Sequence, residues 1–354
     1  MSFNLFKISE PVFEKSIQFL TLVGFWNVSR RFLLTILAIL AWTGVVFTVI
    51  FVLSEKSIEE KFSALTMIPT YLIVNAKLIN FFFKKDQIML LVESIKNLIA
   101  QESWIDKQNG ILLKKRIQKI QIIFNIYLTV NMFSYSMGVF VSLANHDLFI
   151  KMWLPYDHQK NELVFWLSTS AQLVHNTFMM FFAIIIDFFP LILISFISGL
   201  IDELCERIKN SSSGENLNEH SKEISKCVEI HLQIKSLASE ISKIFSTVLG
   251  LQACMSILIL CTSLFVVAFV SFLCTSDSNN EILKLFFLSL TQYDNDTLFF
   301  GILGYMLTMA VQIFMPCYIA DNMTVASSEF SSSLFHSDWT KETQEFKSSM
   351  KIFM

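Results

Sequence analysis

Apolar residues run through this chain in long unbroken stretches, not in strict alternation. A helix needs ~20 apolar residues to cross a hydrocarbon layer of ~30 Å. Six stretches meet that demand: 32–53, 62–83, 120–145, 163–201, 244–275 and 298–320. Lys77 is the charged residue of the second, and Asp187 that of the fourth, which also holds His175. The other four carry no charge. Continuous apolar runs read as spanning helices, whereas a membrane barrel alternates with period two. The pattern predicts an all-α, polytopic membrane helix bundle with six transmembrane spans.

Between the spans the period changes. Ile88, Leu91, Ile95 and Leu98 recur at 3, 4, 3, one face of a helix. Beyond a break at NSSSG (210–214), Ile230, Ile234, Leu237, Ile241 and Ile244 recur at 4, 3, 4, 3. That heptad-like seam runs into the fifth span without a helix breaker, and it suits packing within one chain or a subunit interface. The fourth stretch, 39 residues long, would reach ~58 Å as a helix, so it should protrude from the bilayer. The expected organisation is a transmembrane bundle over 1–320 with cytoplasmic loop helices at 84–116 and 202–243. A cytoplasmic terminal helix at 321–354 follows, where no apolar run is long enough to form a further span.

Composition narrows the class. Of 354 residues, 53% are hydrophobic and only 16% charged, against ~25% charged in a soluble domain. A soluble enzyme, a disordered chain and a disulfide scaffold are excluded on these grounds. The net charge of −3 offers no basic balance for nucleic acid. Basic residues are strongly asymmetric: 21 flank the spans on the side of the N-terminus and 5 on the other. The positive-inside rule then puts the N-terminus in the cytoplasm, which disfavours a G-protein-coupled receptor. On the outer side ten acids face five bases, a weak lure for cations. Of six cysteines only Cys274 approaches the outside, so no disulfide within the chain is expected.

Candidate chemistry is sparse. HExxH, GxSxG and phosphate-cradling glycine loops are absent, so no catalytic residue, cofactor or metal site is expected. Nine glycines give little support to the broken helices of a transporter. Polar residues inside spans are the remaining candidates. Gln172, His175, Asn176 and Met179 share one face of the fourth span by their spacing. Tyr71 in the second span, Tyr135 and Gly138 in the third, and Tyr305 and Met309 in the sixth lie at a similar outer depth. Together they suit an apolar pocket with a few polar handles and soft Met walls, fit for a small, weakly polar ligand. A closed network of inter-helix hydrogen bonds is the plainer alternative. Lys77 and Asp187 lie deeper, as a structural ion pair or a gating element.

These residues also carry a resemblance. Trp153-Leu-Pro155-Tyr156-Asp157 before the fourth span resembles a signature of the insect odorant receptors. So does the helix from His231 through Glu240, Ile244 and Phe245 to Gln252. Phe314-Met-Pro316-Cys317-Tyr318, Asp321-Asn-Met-Thr324, Ser327–Glu329 and Leu334-Phe-His-Ser-Asp338-Trp339 resemble the end of the family's sixth helix and its terminal cytoplasmic helix. Asp187 stands where the family often has an acid. The resemblance implies a seven-helix chemosensory receptor of the plasma membrane of sensory neuron dendrites. It implies a cation channel gated by a small volatile organic ligand and assembled with a co-receptor as a hetero-tetramer. The family's seventh, pore-lining helix is not recognisable before residue 354. The implied pocket lies between the second, third, fourth and sixth helices in the outer leaflet, where Tyr71, Tyr135, Gly138, His175, Met179 and Tyr305 are approximate matches. A gustatory-type receptor and a small-molecule transporter are the other readings left open.

Overall fold

The computed structural model describes residues 31–54, 58–101, 111–144, 146–157, 161–211, 217–275, 296–336 and Lys347. The N-terminal tail, most of the NSSSG break, and residues 337–354 apart from Lys347 lie outside the described residues. Six long helices make up nearly all of the rest, and no strand occurs among the described residues. We number them α1 (Arg31–Leu53), α2 (Ile58–Gln101), α3 (Ile111–Ala144), α4 (Glu162–Ser211), α5 (Leu217–Thr275) and α6 (Asp296–Phe335). Among the described residues four segments are long and apolar enough to cross a membrane: Leu112–Ala144, Glu162–Lys209, Ile224–Phe265 and Leu303–Phe335. α1 contributes the shorter apolar stretch Ile39–Leu53, and α2 is not among the four.

Helix α4 is the central post. It packs against α3, α5 and α6 and touches α2, while α1 rests on α2. Its sequence is apolar on every side in its middle, and such a helix must be surrounded. In its most apolar stretch 72% of residues are buried, against 11% in α3, which leaves much of its surface for lipid. At 50 and 59 residues, α4 and α5 reach ~75 and ~90 Å, so both extend well beyond a hydrocarbon core.

The extensions form a second packed layer, the stem. Ile88, Leu91, Ile95 and Leu98 of α2 are all buried, as predicted by their spacing. They join Leu200, Leu204 and Ile208 of α4, Phe330 and Leu334 of α6, and the α5 seam in one core. Every seam residue from Ile230 to Ile244 is buried within the chain. The seam is therefore used internally and leaves none of its five side chains for a subunit interface. His231 stacks flat on Phe330, with ring centroids 3.9 Å apart, tying α5 to α6. Glu203 of α4 accepts the backbone N–H groups of Leu112 and Leu113 at 2.8 and 3.1 Å. A carboxylate here satisfies orphan donors at the first turn of α3 and complements its dipole.

Close approach of α3 to α4 depends on Gly199. A Cβ at that position would lie 2.6 Å from Leu113 Cδ1 and 3.2 Å from its Cα, so the helix backbones themselves would have to part. Small residues serve this purpose in membrane bundles. Gly199→Val should therefore destabilise the detergent-solubilised protein by about 1–3 kcal/mol through overpacking, with Gly199→Ala in between. Apparent melting followed by size-exclusion chromatography after heating measures this, and an unshifted melting curve for the Val variant would refute it.

Candidate ligand site and buried polar centre

The halves of α2, α3, α4 and α6 expected to face outward are linked by hydrogen bonds between side chains of different helices. Tyr71 (α2) donates its hydroxyl to Asn176 Oδ1 (α4) at 3.3 Å. Thr70 (α2) and the Tyr305 hydroxyl (α6) are 2.7 Å apart. Tyr135 (α3) bonds both the Thr177 hydroxyl at 2.9 Å and the Leu173 carbonyl at 3.0 Å on α4. Ser134 (α3) and Thr308 (α6) are 3.2 Å apart. Met179 and Met309 are buried at this level. With no water in a hydrocarbon layer, each polar group must find a protein partner or remain an open handle.

The segment 146–157 folds over this end. Gln172 holds the backbone of Ile150 by both its amide atoms, at 3.2 and 3.1 Å. Phe149 packs edge-on against Tyr135 and lies so close to Gly138 that a Cβ there would sit 2.9 Å from its ring. Trp153 donates its backbone N–H to the Phe47 carbonyl, and the two rings meet edge-on. Gln172 and Gly138 thus hold the covering segment, while Tyr71, Tyr135 and Tyr305 have partners on neighbouring helices. His175 is different: both ring nitrogens are buried without a hydrogen-bond partner among the described residues. The Nδ2 of adjacent Asn176 and the hydroxyl of Thr169 share that condition. All three are on α4.

The sequence reading missed Thr70, Ser134, Thr177 and Thr308. Hydroxyls inside helices commonly bond the carbonyl one turn back, as Thr308 also does to Gly304 at 3.0 Å. That local habit hides a partner on another helix.

Some two turns deeper lies a second polar centre. Measured along each helix, Lys77, Tyr127, Asp187 and Gln312 stand ~9–12 Å below Tyr71, Tyr135, Met179 and Tyr305. Lys77 of α2 donates to Asp187 Oδ1 of α4 in a close ion pair, with 2% and 6% of the two side chains exposed. Asp187 Oδ2 accepts Gln312 Nε2 at 2.7 Å and the Tyr127 hydroxyl at 3.4 Å. One carboxylate therefore joins four helices. α5 approaches through Gln252, whose buried Oε1 has no partner among the described residues. A void of about 10 Å³ lies among Tyr127, Asp187, Gln252 and Gln312, room for about one water.

This architecture has known counterparts. A family model described as 7tm odorant receptor matches residues 57–279 and 282–354. The chain belongs to the 7tm odorant receptor family, a family of receptors and not of enzymes, and is a multi-pass membrane protein. Among its relatives is Odorant receptor 22b of Drosophila melanogaster, 24% identical over 206 residues, which are 58% of this chain and 46% of that protein. Odorant receptor 94a of the same species is 21% identical over 338 residues, 94% of this chain and 81% of that protein. The chain thus spans about half of the first relative and most of the second. The fold matches the insect olfactory receptor OR5 of Machilis hrabei with a TM-score of 0.69 at 13% identity, over 92% of this chain and 80% of that one. The same receptor in complex with eugenol gives 0.68.

Breaking a buried ion pair leaves an uncompensated charge and costs ~3–5 kcal/mol, whereas an apolar replacement of both partners is often tolerated. Asp187→Leu should lower folded yield and melting temperature sharply. Lys77→Met with Asp187→Leu should recover most of the loss. Fluorescence-detected chromatography of the three proteins decides this: a double variant as unstable as Asp187→Leu would contradict the pairing argument.

Proposed function

We propose that this chain is an odorant-receptor subunit that binds a small volatile organic molecule at the outer ends of α2, α3, α4 and α6. The observation that carries the site is the unpartnered imidazole of His175 beside the Asn176 Nδ2, which has no partner among the described residues, in a cluster whose other polar groups have mostly found protein partners. An open amide N–H and an imidazole suit an odorant with an apolar body and one oxygen acceptor, such as an ester, ketone or alcohol. Tyr71, Tyr135, Tyr305, Met179 and Met309 form its surroundings, and Gly138 and Gln172 hold the covering segment. The match in fold to OR5 of Machilis hrabei in complex with eugenol supports this reading.

Binding gates a cation channel formed with a co-receptor in a hetero-tetramer at the plasma membrane. The N-terminus is cytoplasmic, and six spans leave residues 84–116, 202–243 and 321–354 on the cytoplasmic side. The family membership and the 21-to-5 asymmetry of basic residues support this arrangement. Asp187, joined to α2, α3 and α6, stands where movement in the outer cluster would reach all four helices, so it belongs to the gating path.

Voltage-clamp recording with the co-receptor and an odorant panel tests the reading. His175→Ala should shift half-maximal concentrations by about 2–10-fold, the worth of one hydrogen bond, and reorder the panel with surface expression unchanged. Tyr305→Phe, which frees Thr70, should do so more weakly. Identical concentration–response curves for both variants would remove the site from this face of α4. Ligand uptake without current would favour a transporter instead.

A further inference from the structure

A second cavity lies at the opposite end of the bundle, between α3, α4 and α6. It is an open-mouthed cleft of about 30 Å³, lined by Arg116, Lys119, Ser195, Ser198, Tyr318 and Asn322 among others. It has room for roughly two waters, too little for an odorant but enough for two oxygens of a phosphate whose remainder stays at the open mouth. Its depth is that of the inner boundary of the expected spans, which begin at residue 120 in α3 and end at residue 320 in α6.

The charges at its mouth are uneven. Arg116 grips Asp202 with Nε and Nη2, at 2.5 and 3.1 Å, which positions the guanidinium. Lys119, which lines the cleft, and Lys115, one helical turn before it on α3, are both exposed and have no ion-pair partner among the described residues. Ser195 is a buried residue of the wall. Ser198 donates its hydroxyl to the Ile194 carbonyl.

The surface beside the cleft changes character in register on two helices. On α3, Lys119 is followed on the same face by Ile122 and Ile126, 59% and 55% exposed. On antiparallel α6, Asn322 is preceded by Tyr318 and Phe314, 42% and 65% exposed and stacked on each other. Both faces therefore pass from polar to bare apolar in the same direction, toward the membrane interior. A soluble anion would need only the polar half. An amphiphile with an anionic head and hydrocarbon tails matches both.

We infer that this cleft is a binding site for an anionic phospholipid of the cytoplasmic leaflet. The headgroup phosphate sits against Lys115, Lys119 and the Ser195 hydroxyl, and an acyl chain lies along Ile122, Ile126 and Phe314. Basic pockets between helices at the cytoplasmic face are suited to such headgroups, each cation near the surface contributing ~1 kcal/mol. The site is separate from the odorant site, and its test does not depend on ligand-gated current.

The full-length chain, purified in neutral detergent, is titrated with phosphatidylinositol 4-phosphate and with phosphatidylcholine, and binding is read by native mass spectrometry. The wild type should take the anionic lipid at least about tenfold more tightly than the neutral one. The Lys115→Gln, Lys119→Gln double variant should weaken the anionic lipid on the order of thirtyfold, two cations' worth. Lys96→Gln, an exposed cation on α2, should leave it unchanged. Soluble inositol 1,4-bisphosphate at the same concentration should not displace the lipid. Equal binding by wild type and double variant would overturn the proposal. So would an equal loss in Lys96→Gln, which would mean diffuse surface charge, or full displacement by the soluble headgroup, which would mean a free phosphate site.

Discussion

A carboxylate and an ammonium inside an apolar bundle can remain only as a pair, and that constraint organises the middle of this protein. Asp187 sits on α4, the most enclosed helix, and Lys77 reaches it from α2. The second carboxylate oxygen still needs donors, and Tyr127 and Gln312 supply them from α3 and α6. The register of four helices is thereby set by one side chain. A slide of any helix by one residue, ~1.5 Å, would strain at least one of these bonds.

The helices that carry this centre are also locally loosened. Pro190 follows Asp187 by three residues and Pro316 follows Gln312 by four. A proline has no N–H to give the carbonyl one turn back, and it bends a helix where it stands. The polar centre therefore lies beside points where α4 and α6 can flex. The outer cluster, ~10 Å away, joins the same α2, α3, α4 and α6 through weaker, neutral hydrogen bonds. Neutral bonds there cost less to rearrange than a buried ion pair does.

The stem works by different physics. Its core is aliphatic and its helices are long, so burial of Ile, Leu and Phe carries the packing, with the Glu203 cap and the Arg116–Asp202 bridge near its junction with the bundle. Above that junction, polar atoms inside the bundle must be matched one by one. Below it, exposed charge is tolerated. The change of rule falls at the level of Lys119 and Asn322, where two antiparallel helices shift from polar to apolar surface together.

Much of the architecture was legible along the chain. Unbroken apolar runs forced helices, because only a helix satisfies its own backbone in an apolar medium. The 3, 4 spacing in α2 and α5 named the stem core residue by residue. Lys77 and Asp187, as lone charges in apolar stretches, had to meet some partner. The partners of the candidate site residues were legible only in part. Gln172 and Gly138 read as pocket residues from position; that they also hold the segment 146–157 was hidden, since a one-helix pattern cannot say which loop returns over it. Thr70, Ser134, Thr177 and Thr308 were invisible because a hydroxyl in a helix is equally content with its own backbone. Gln312 and Tyr127 gave no sign of belonging to Asp187. Periodicity determined which residues are helical and which face inward, because those depend on local geometry and on solvent. Which buried polar group meets which, and which are left without a partner, was decided by how the helices pack, because a hydrogen bond between helices depends on ångström-scale distances that no spacing along one helix encodes.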